Sequence, residues 1–211
     1  MLIKLDLQFF GGRGASSATG KSGMPRRTQT DHMDEWSPPP PTNYQLAIAN
    51  GVSADEAREQ VDAIEAYSGS DYRAIRKAQY EGLTDWDEYK KAQAIENFIA
   101  QSPVWAGGEL YRGVKLDPAA VSQLKVGGRI DMKGMSSWSS DETTARSFSN
   151  ASGNKQSVIF RTKGTKQGAS ITHLSNYGKD ESEVLISGKA TWTIKKITVS
   201  GSRTYIDVEE D

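Results

Sequence analysis

Between Tyr44 and Gln101 the apolar residues recur at helical spacing. Ser53-Ala54-Asp55-Glu56 reads as a capping box, and Ala57, Val61 and Ile64 follow it along one stripe. Ser68-Gly69-Ser70 breaks that stripe, and a second helix carries Tyr72, Ile75 and Gln79. Thr84 opens a third, with Tyr89, Ala92, Ile95 and Ile99 on its inner face. After Pro103 the period changes. Short β-rich runs occupy 109–114, 157–162, 169–172, 183–187, 191–199 and 203–208, separated by Gly, Ser, Asn and Lys. Helices followed by strands predict an α+β domain rather than a βαβ repeat.

Before Asn43 the pattern is of another kind. Residues 2–10 alternate apolar and polar side chains, as a single strand added to a partner would, or they stay disordered. Gly and Ser dominate 11–23, and Pro38 to Pro41 favour extended backbone, so residues 11–43 read as a linker. The expected division is a tail and linker over 1–43 and one domain over 44–211. Ala15 to Ser22 nearly spells a phosphate-binding loop ending Gly20-Lys21-Ser22. Gly14 is one position too early, and Met24-Pro25 precludes the helix that would aim N–H groups at phosphate.

Composition narrows the function. With 26 basic and 27 acidic residues there is no global field toward nucleic acid or an anionic membrane. The absence of cysteine excludes disulfides, thiolate metal sites and thiol nucleophiles, and His32 and His173 lie far apart. No metal site is expected. Leu2 to Phe10 is interrupted by Lys4 and Asp6, which suits neither a signal peptide nor a membrane span. An intracellular or reducing setting is expected.

Three segments carry the candidate chemistry. Arg112 lies between Tyr111 and Gly113 on a predicted strand; a guanidinium fork suits phosphate oxygens, and glycine permits close approach to the backbone. Four serines surround Trp138 between Ser136 and Ser140, running into a helix capped at Ser140 with Ala145 and Phe148 packing inward. Such a serine can hold a neighbouring carboxylate in one rotamer. Glu181 and Glu183 are two apart, so on a strand both share a face with Leu185, while Val184 and Ile186 fill the other. Glu183 then sits where solvent gives way to core.

The order aromatic-Arg-Gly, Ser-x-Ser, Glu-x-Glu-hydrophobic-Leu resembles the arginine-type mono-ADP-ribosyltransferases, which include enzymatic components of binary toxins and bacteriophage relatives. Ala66-Tyr67-Ser68-Gly69-Ser70-Asp71-Tyr72-Arg73-Ala74-Ile75 is similar to the family's helix signature, and Ala145-Arg146-Ser147-Phe148 stands in the expected place downstream. The resemblance covers about residues 60–200. It implies N-terminal helices followed by a mixed two-sheet β core. It also implies NAD+ as substrate, contacted by Tyr72, Arg112, Gly113, Ser137, Ser139 and Phe148, with Arg112 on the phosphates and Gly113 against the nicotinamide. Arg112, Ser137, Glu181 and Glu183 form the implied catalytic set. Glu183 stabilises the sugar cation, and Glu181, with Tyr177 in the loop from Ser175 to Asp180, recognises the acceptor. Trp138 stands where the family usually has threonine, Arg76 where it has asparagine, and Tyr177 lies four residues before Glu181 rather than three.

The expected function is transfer of ADP-ribose to an arginine of a target protein, such as a host protein. The alternatives are NAD glycohydrolysis, for which Glu181 would be unnecessary, and a non-enzymatic virion-associated module, for which Trp138 is the best argument. The opening Lys-Leu-Asp-Leu-Gln-Phe-Phe resembles bacteriophage structural proteins, which implies a possible virion component through the tail and a setting in the virion or the bacterial host cytoplasm.

Overall fold

The computed structural model describes residues 2–4, 49–175 and 181–211. Three helices come first. In α1, Ala54–Ser68, Ser53 Oγ accepts the Glu56 N–H at 3.2 Å, and the stripe Ala57, Val61, Ile64 and Tyr67 is buried. In α2, Tyr72–Glu81, the chain turns off through Gly82 in the left-handed region at φ 68°, which glycine adopts without a side-chain penalty. In α3, Asp87–Gln101, the inner face is Ala92, Ile95, Glu96, Phe98 and Ile99. Thr84 does not open this helix: a turn closed by the Trp86 N–H on Leu83 O, at 3.0 Å, precedes it.

The strands are β1 (Leu2–Lys4), β2 (Leu110–Leu116), β3 (Arg129–Asp131), β4 (Ser136–Ser139), β5 (Gln156–Thr162), β6 (Gly168–Ser170), β7 (Glu183–Ile186), β8 (Thr191–Ser200) and β9 (Arg203–Glu210). Two short helices interrupt them, α4 (Pro118–Gln123) and α5 (Glu142–Ser149). The N-cap of α5 is Asp141, whose carboxylate accepts the Thr143 N–H, rather than Ser140.

The hydrogen-bonded order is β1-β3-β8-β9-β5-β2-β4-β7-β6, with β1·β3 and β5·β9 parallel and the other pairs antiparallel. The expected two sheets are therefore two blocks of one ladder. They meet through a single register pair, Tyr111 with Ser139, which joins the large block ending in β2 to the small block β4-β7-β6. The alternating side chains of the small block then face two ways. Met135 and Leu185 pack against Ile64, Tyr67, Ile75 and Ile95 of the helices. Trp138, Val184 and Ile186 pack against Phe160, Trp192 and Ile206 of the large block. The small block is thus buried on both faces, which is why a four-residue strand can hold charged groups away from water. Residues 2–4 join the chain's own sheet, pairing with 129–131, and Ile3 packs against the large-block core.

Candidate active site

The junction of the two blocks gathers the three sequence segments. Arg112 shares its strand face with Leu110 and Val114, and an arginine on that inward face is 0% exposed. Its Nη1 donates to Ser137 O at 2.5 Å, which ties β2 to β4 beside their single ladder pair. Desolvation, with the like charge of Arg76, pushes the Arg112 guanidinium down to about 9; the opposite pull of Tyr67 and Glu183 keeps it a cation at neutral pH.

Glu183 opens β7 opposite Ser139, and Ser137 faces Leu185 two pairs along the same ladder. The Glu183 side chain is 3% exposed. Burial is the main cause that pushes its carboxyl up to about 7, and the Glu181 charge adds to it; the hydroxyls of Ser137 and Ser175 and the Arg112 charge pull it down. The Ser137 hydroxyl is buried beside the Glu183 carboxyl and favours its ionised form by hydrogen bonding. A carboxylate partly ionised at neutral pH and shielded from water can stabilise positive charge that develops beside it.

Glu181 also belongs to this group, but not through strand alternation. The strand starts at Glu183, and Ser182 between the two glutamates is left-handed at φ 43°. The expected shared strand face is therefore replaced by a turn. Ser139 Oγ donates to Glu181 O at 2.6 Å and the Ser140 N–H donates to Ser182 O at 3.2 Å, which stabilises an uncommon backbone for a side-chain-bearing residue. Ser139 accordingly engages the turn, and the hydroxyl also accepts the Asp141 N–H. Glu181 remains nearly buried, close enough to raise the Glu183 carboxyl.

Other expected positions fall differently. A Cβ on Gly113 would overlap Ala145 O, so the glycine lets α5 sit on β2 and its space is taken by that helix rather than left open for a ligand. Phe148 is half-buried beside Ala145, Ile159 and Tyr205 on the same helix side. Tyr72 is half-buried at the start of α2, and Arg73 Nε donates to its hydroxyl at 2.8 Å. Tyr177 lies outside the described residues, as do residues 5–48 with the near-phosphate-loop and the proline run.

Trp138 points to the opposite face of β4. It is fully buried, packs on Trp192 with ring centroids 5.0 Å apart, and donates from Nε1 to Ser136 Oγ at 3.0 Å. Its departure from the usual threonine changes the core and leaves the serine face of the strand intact.

Two residues outside the expected contact and catalytic sets lie beside the site. Tyr67 is fully buried, its hydroxyl donates to Met135 O at 3.4 Å, and it interacts electrostatically with Arg112 and Glu183; burial pushes its phenol above the ordinary value. Its place on the buried stripe of α1 and inside the helix signature was the available signal. Arg76 is buried too, donating to Met132 O and Lys133 O at 2.7 and 2.9 Å. An arginine in place of asparagine thus fastens the approach to β4.

Residues 34–211 match the family model of the ADP-ribosyltransferase exoenzyme, most of the chain, and the protein belongs to that family. Its members use NAD+ as substrate. Over 154 residues, 72% of this chain, it is 27% identical to Mav of Mycobacterium avium, named for NAD(+)–arginine ADP-ribosyltransferase activity; the chain spans only 18% of that relative's length. Among solved structures it is similar in fold to Vis, an ADP-ribosyltransferase from Vibrio splendidus. With Vis in an inhibitor complex the TM-score is 0.65 at 24% identity, covering 81% of this chain and 78% of that one. Vis has also been crystallised with agmatine, a match at TM-score 0.62 and 21% identity over 82% and 88% of the two chains. Exoenzyme S of Pseudomonas aeruginosa, bound to carba-NAD, matches at TM-score 0.58 and 19% identity over 80% and 81%.

Proposed function

We propose that this domain transfers ADP-ribose from NAD+ to arginine side chains of a protein. The observation that carries the reading is Glu183: a buried carboxyl raised to about 7, influenced by the hydroxyls of Ser137 and Ser175 and by the charge of the buried Arg112, in a chain of this family. NAD+ supplies the ADP-ribosyl group and a ribose–nicotinamide bond that breaks with positive charge on the sugar.

On this reading Arg112 holds the diphosphate by its guanidinium and limits drift of the bound sugar. Ser137 donates to Glu183 or to a ribose hydroxyl and fixes the carboxylate's direction. Ionised Glu183 then lies against the developing charge in a site shielded from water, where such a contact is strongest. Glu181, held at the turn by Ser139, accepts from the acceptor guanidinium and takes its proton as the nitrogen attacks. Tyr177 and its loop are assigned to acceptor recognition by the family resemblance alone. The name of Mav and the Vis complex with agmatine, a guanidino compound, support arginine as the acceptor class. Residues 44–211 are assigned as the catalytic unit and 1–43 as an appended tail. A host protein as target, met from a phage virion or in the host cytoplasm, is supported by the resemblance of residues 2–10 to bacteriophage structural proteins.

Glu181→Gln tests the acceptor assignment. Nicotinamide release and agmatine labelling are measured on one preparation. Labelling is expected to be lost while much of the release persists, because water needs no guanidinium clamp. A parallel fall of both, or of neither, would remove the arginine reading and favour glycohydrolysis.

A further inference from the structure

Beyond the ribose-side group, β4 and β7 are bound together a second time at their far ends by a carboxylate from a helix. Glu96 of α3 is 9% exposed. Its Oε1 accepts Gln79 Nε2 at 2.5 Å and the Gly188 N–H at 2.7 Å, and its Oε2 accepts Ser187 Oγ at 2.6 Å. Gln79 of α2 uses its other amide atom just before β4, where Oε1 accepts the Met135 N–H at 2.7 Å. One helix carboxylate therefore grips the residues that leave β7, and through Gln79 the residue that enters β4.

The backbone is shaped for this contact. A Cβ on Gly188 would fall 2.8 Å from both Gln79 Nε2 and Met135 N, and one on Gly134, at φ 86°, would fall 2.6 Å from Gln79 Oε1. Only glycine fits at either position without displacing the amide. Both carboxylate oxygens of Glu96 and both amide atoms of Gln79 are engaged, in the manner of a fully connected buried network. Between this grip and Glu183 lie only the paired residues of the β4–β7 ladder, Ser136 with Ile186 to Ser139 with Glu183. Slippage of either strand would carry Ser137 past Glu183.

We propose that Glu96, through Gln79 and Ser187, is a positioning residue that sets the register of Ser137 against Glu183. Its kinetic consequence rests on the transferase reading. Arg112 lies on β2, whose backbone is held along seven residue pairs by β5, while its guanidinium reaches β4 at Ser137 O, so the phosphate side should respond less to the grip than the carboxylate does. Loss of Glu96 is thus expected to appear mainly in kcat for NAD+ cleavage and much less in KM for NAD+.

The test uses the full chain with Glu96→Gln, which keeps the shape but turns an N–H₂ toward a group that is already a donor, and Ser187→Ala, which removes one bond. Two quantities are read on folded protein: steady-state nicotinamide release, and the Glu183 titration midpoint from carboxyl carbon NMR. Glu96→Gln should lower kcat by about tenfold or more, with KM for NAD+ within about threefold, as small misplacements of a catalytic group do. Ser187→Ala should move both quantities in the same direction by less. Both variants should displace the Glu183 midpoint, which a stabilising role remote from the site would leave in place. If Glu96→Gln does not fold, Ser187→Ala decides. Parental kcat and an unmoved midpoint in a folded variant overturn the proposal. If the parent itself releases no nicotinamide, the transferase reading falls, and the midpoints still judge the grip.

Discussion

Glu183 opens β7, and Glu96 of α3 grips the residues that leave its other end; both are buried carboxylates, and their surroundings differ. Glu96 receives three donors at 2.5–2.7 Å, shared over both oxygens. Glu183 has serine hydroxyls and a guanidinium nearby, and burial still outweighs them, leaving the carboxyl at about 7. A charge removed from water is costly unless its hydrogen-bonding capacity is met. Glu96 meets that cost within the protein and acts as a fastening. At Glu183 burial outweighs the hydroxyls of Ser137 and Ser175 and the charge of Arg112, and a positively charged reacting group can tip that balance. Both residues are buried, so burial alone does not mark the chemistry; the balance between burial and the groups around each carboxylate does.

The strongest way to break this comparison is Glu183→Gln. Nicotinamide release should fall on the order of a hundred-fold or more, as when other preorganised electrostatic contacts are removed. The same variant should be more stable at alkaline pH. The Glu183 carboxyl is raised from 4.5 to about 7 in the fold, so the folded protein keeps a proton that the unfolded chain releases. Stability from this group is complete below about 4.5 and is lost as pH rises to about 7. Glutamine has no such proton to lose. Thermal melts should show Glu183→Gln above the parent at pH 8 and level with it near pH 4.5, and a variant that is less stable at pH 8 would mean that Glu183 is satisfied as Glu96 is.

Trp138→Thr sharpens the contrast between the two faces of β4. It restores the family's usual hydroxyl but removes a buried ring packed on Trp192. Large-to-small changes of this kind cost about 3–5 kcal/mol, so denaturant midpoints should drop sharply. Turnover per folded molecule should not exceed the parent's. A gain in turnover would place Trp138 on the catalytic face after all.

Deleting residues 1–43 should have the smallest effect. It removes the three-residue pairing of β1 with β3 and the partial burial of Ile3. A loss of about 1 kcal/mol corresponds to roughly 2–4 °C in Tm for a domain of this size. Activity should persist. An insoluble or inactive product would show that the tail is integral to the domain.

The site was legible to the extent that its chemistry is local. Arg112, Ser137, Ser139 and Glu183 lie on short segments whose order is distinctive, and the structure brings them to one junction. Glu181 is expected beside Glu183 by strand alternation, whereas a turn places it there, because a serine in the left-handed region at position 182 has no signature comparable to glycine. β4 was hard to see as a strand, since its serines give no apolar alternation and only Trp138 marks the core side. β3 is too short to show a period, and the pairing of β1 with it is set by distant residues. Glu96 was illegible for the same reason: it lies on an otherwise apolar helix stripe, and its partners are 17, 91 and 92 positions away. The helices α1 and α2 and the strands β2, β5, β8 and β9 were readable because each buries a periodic face against neighbours close in type.

The central claim is that an ionised Glu183, whose burial outweighs its partners in the free protein, drives NAD+ cleavage, and the pH dependence of kcat/KM for nicotinamide release tests it most directly, because that ratio reports the free enzyme. Glu181, Arg112, Tyr67, Ser137 and Ser175 are the groups facing the carboxylate, and Arg112 remains charged across the neutral range. The rate should rise with pH through a midpoint near 7 and level off above it, and Glu181→Gln should move that midpoint downward by removing the charge that raises Glu183. A profile that is already flat from pH 5 to 8, as a carboxyl in the ordinary range would give, would contradict the account.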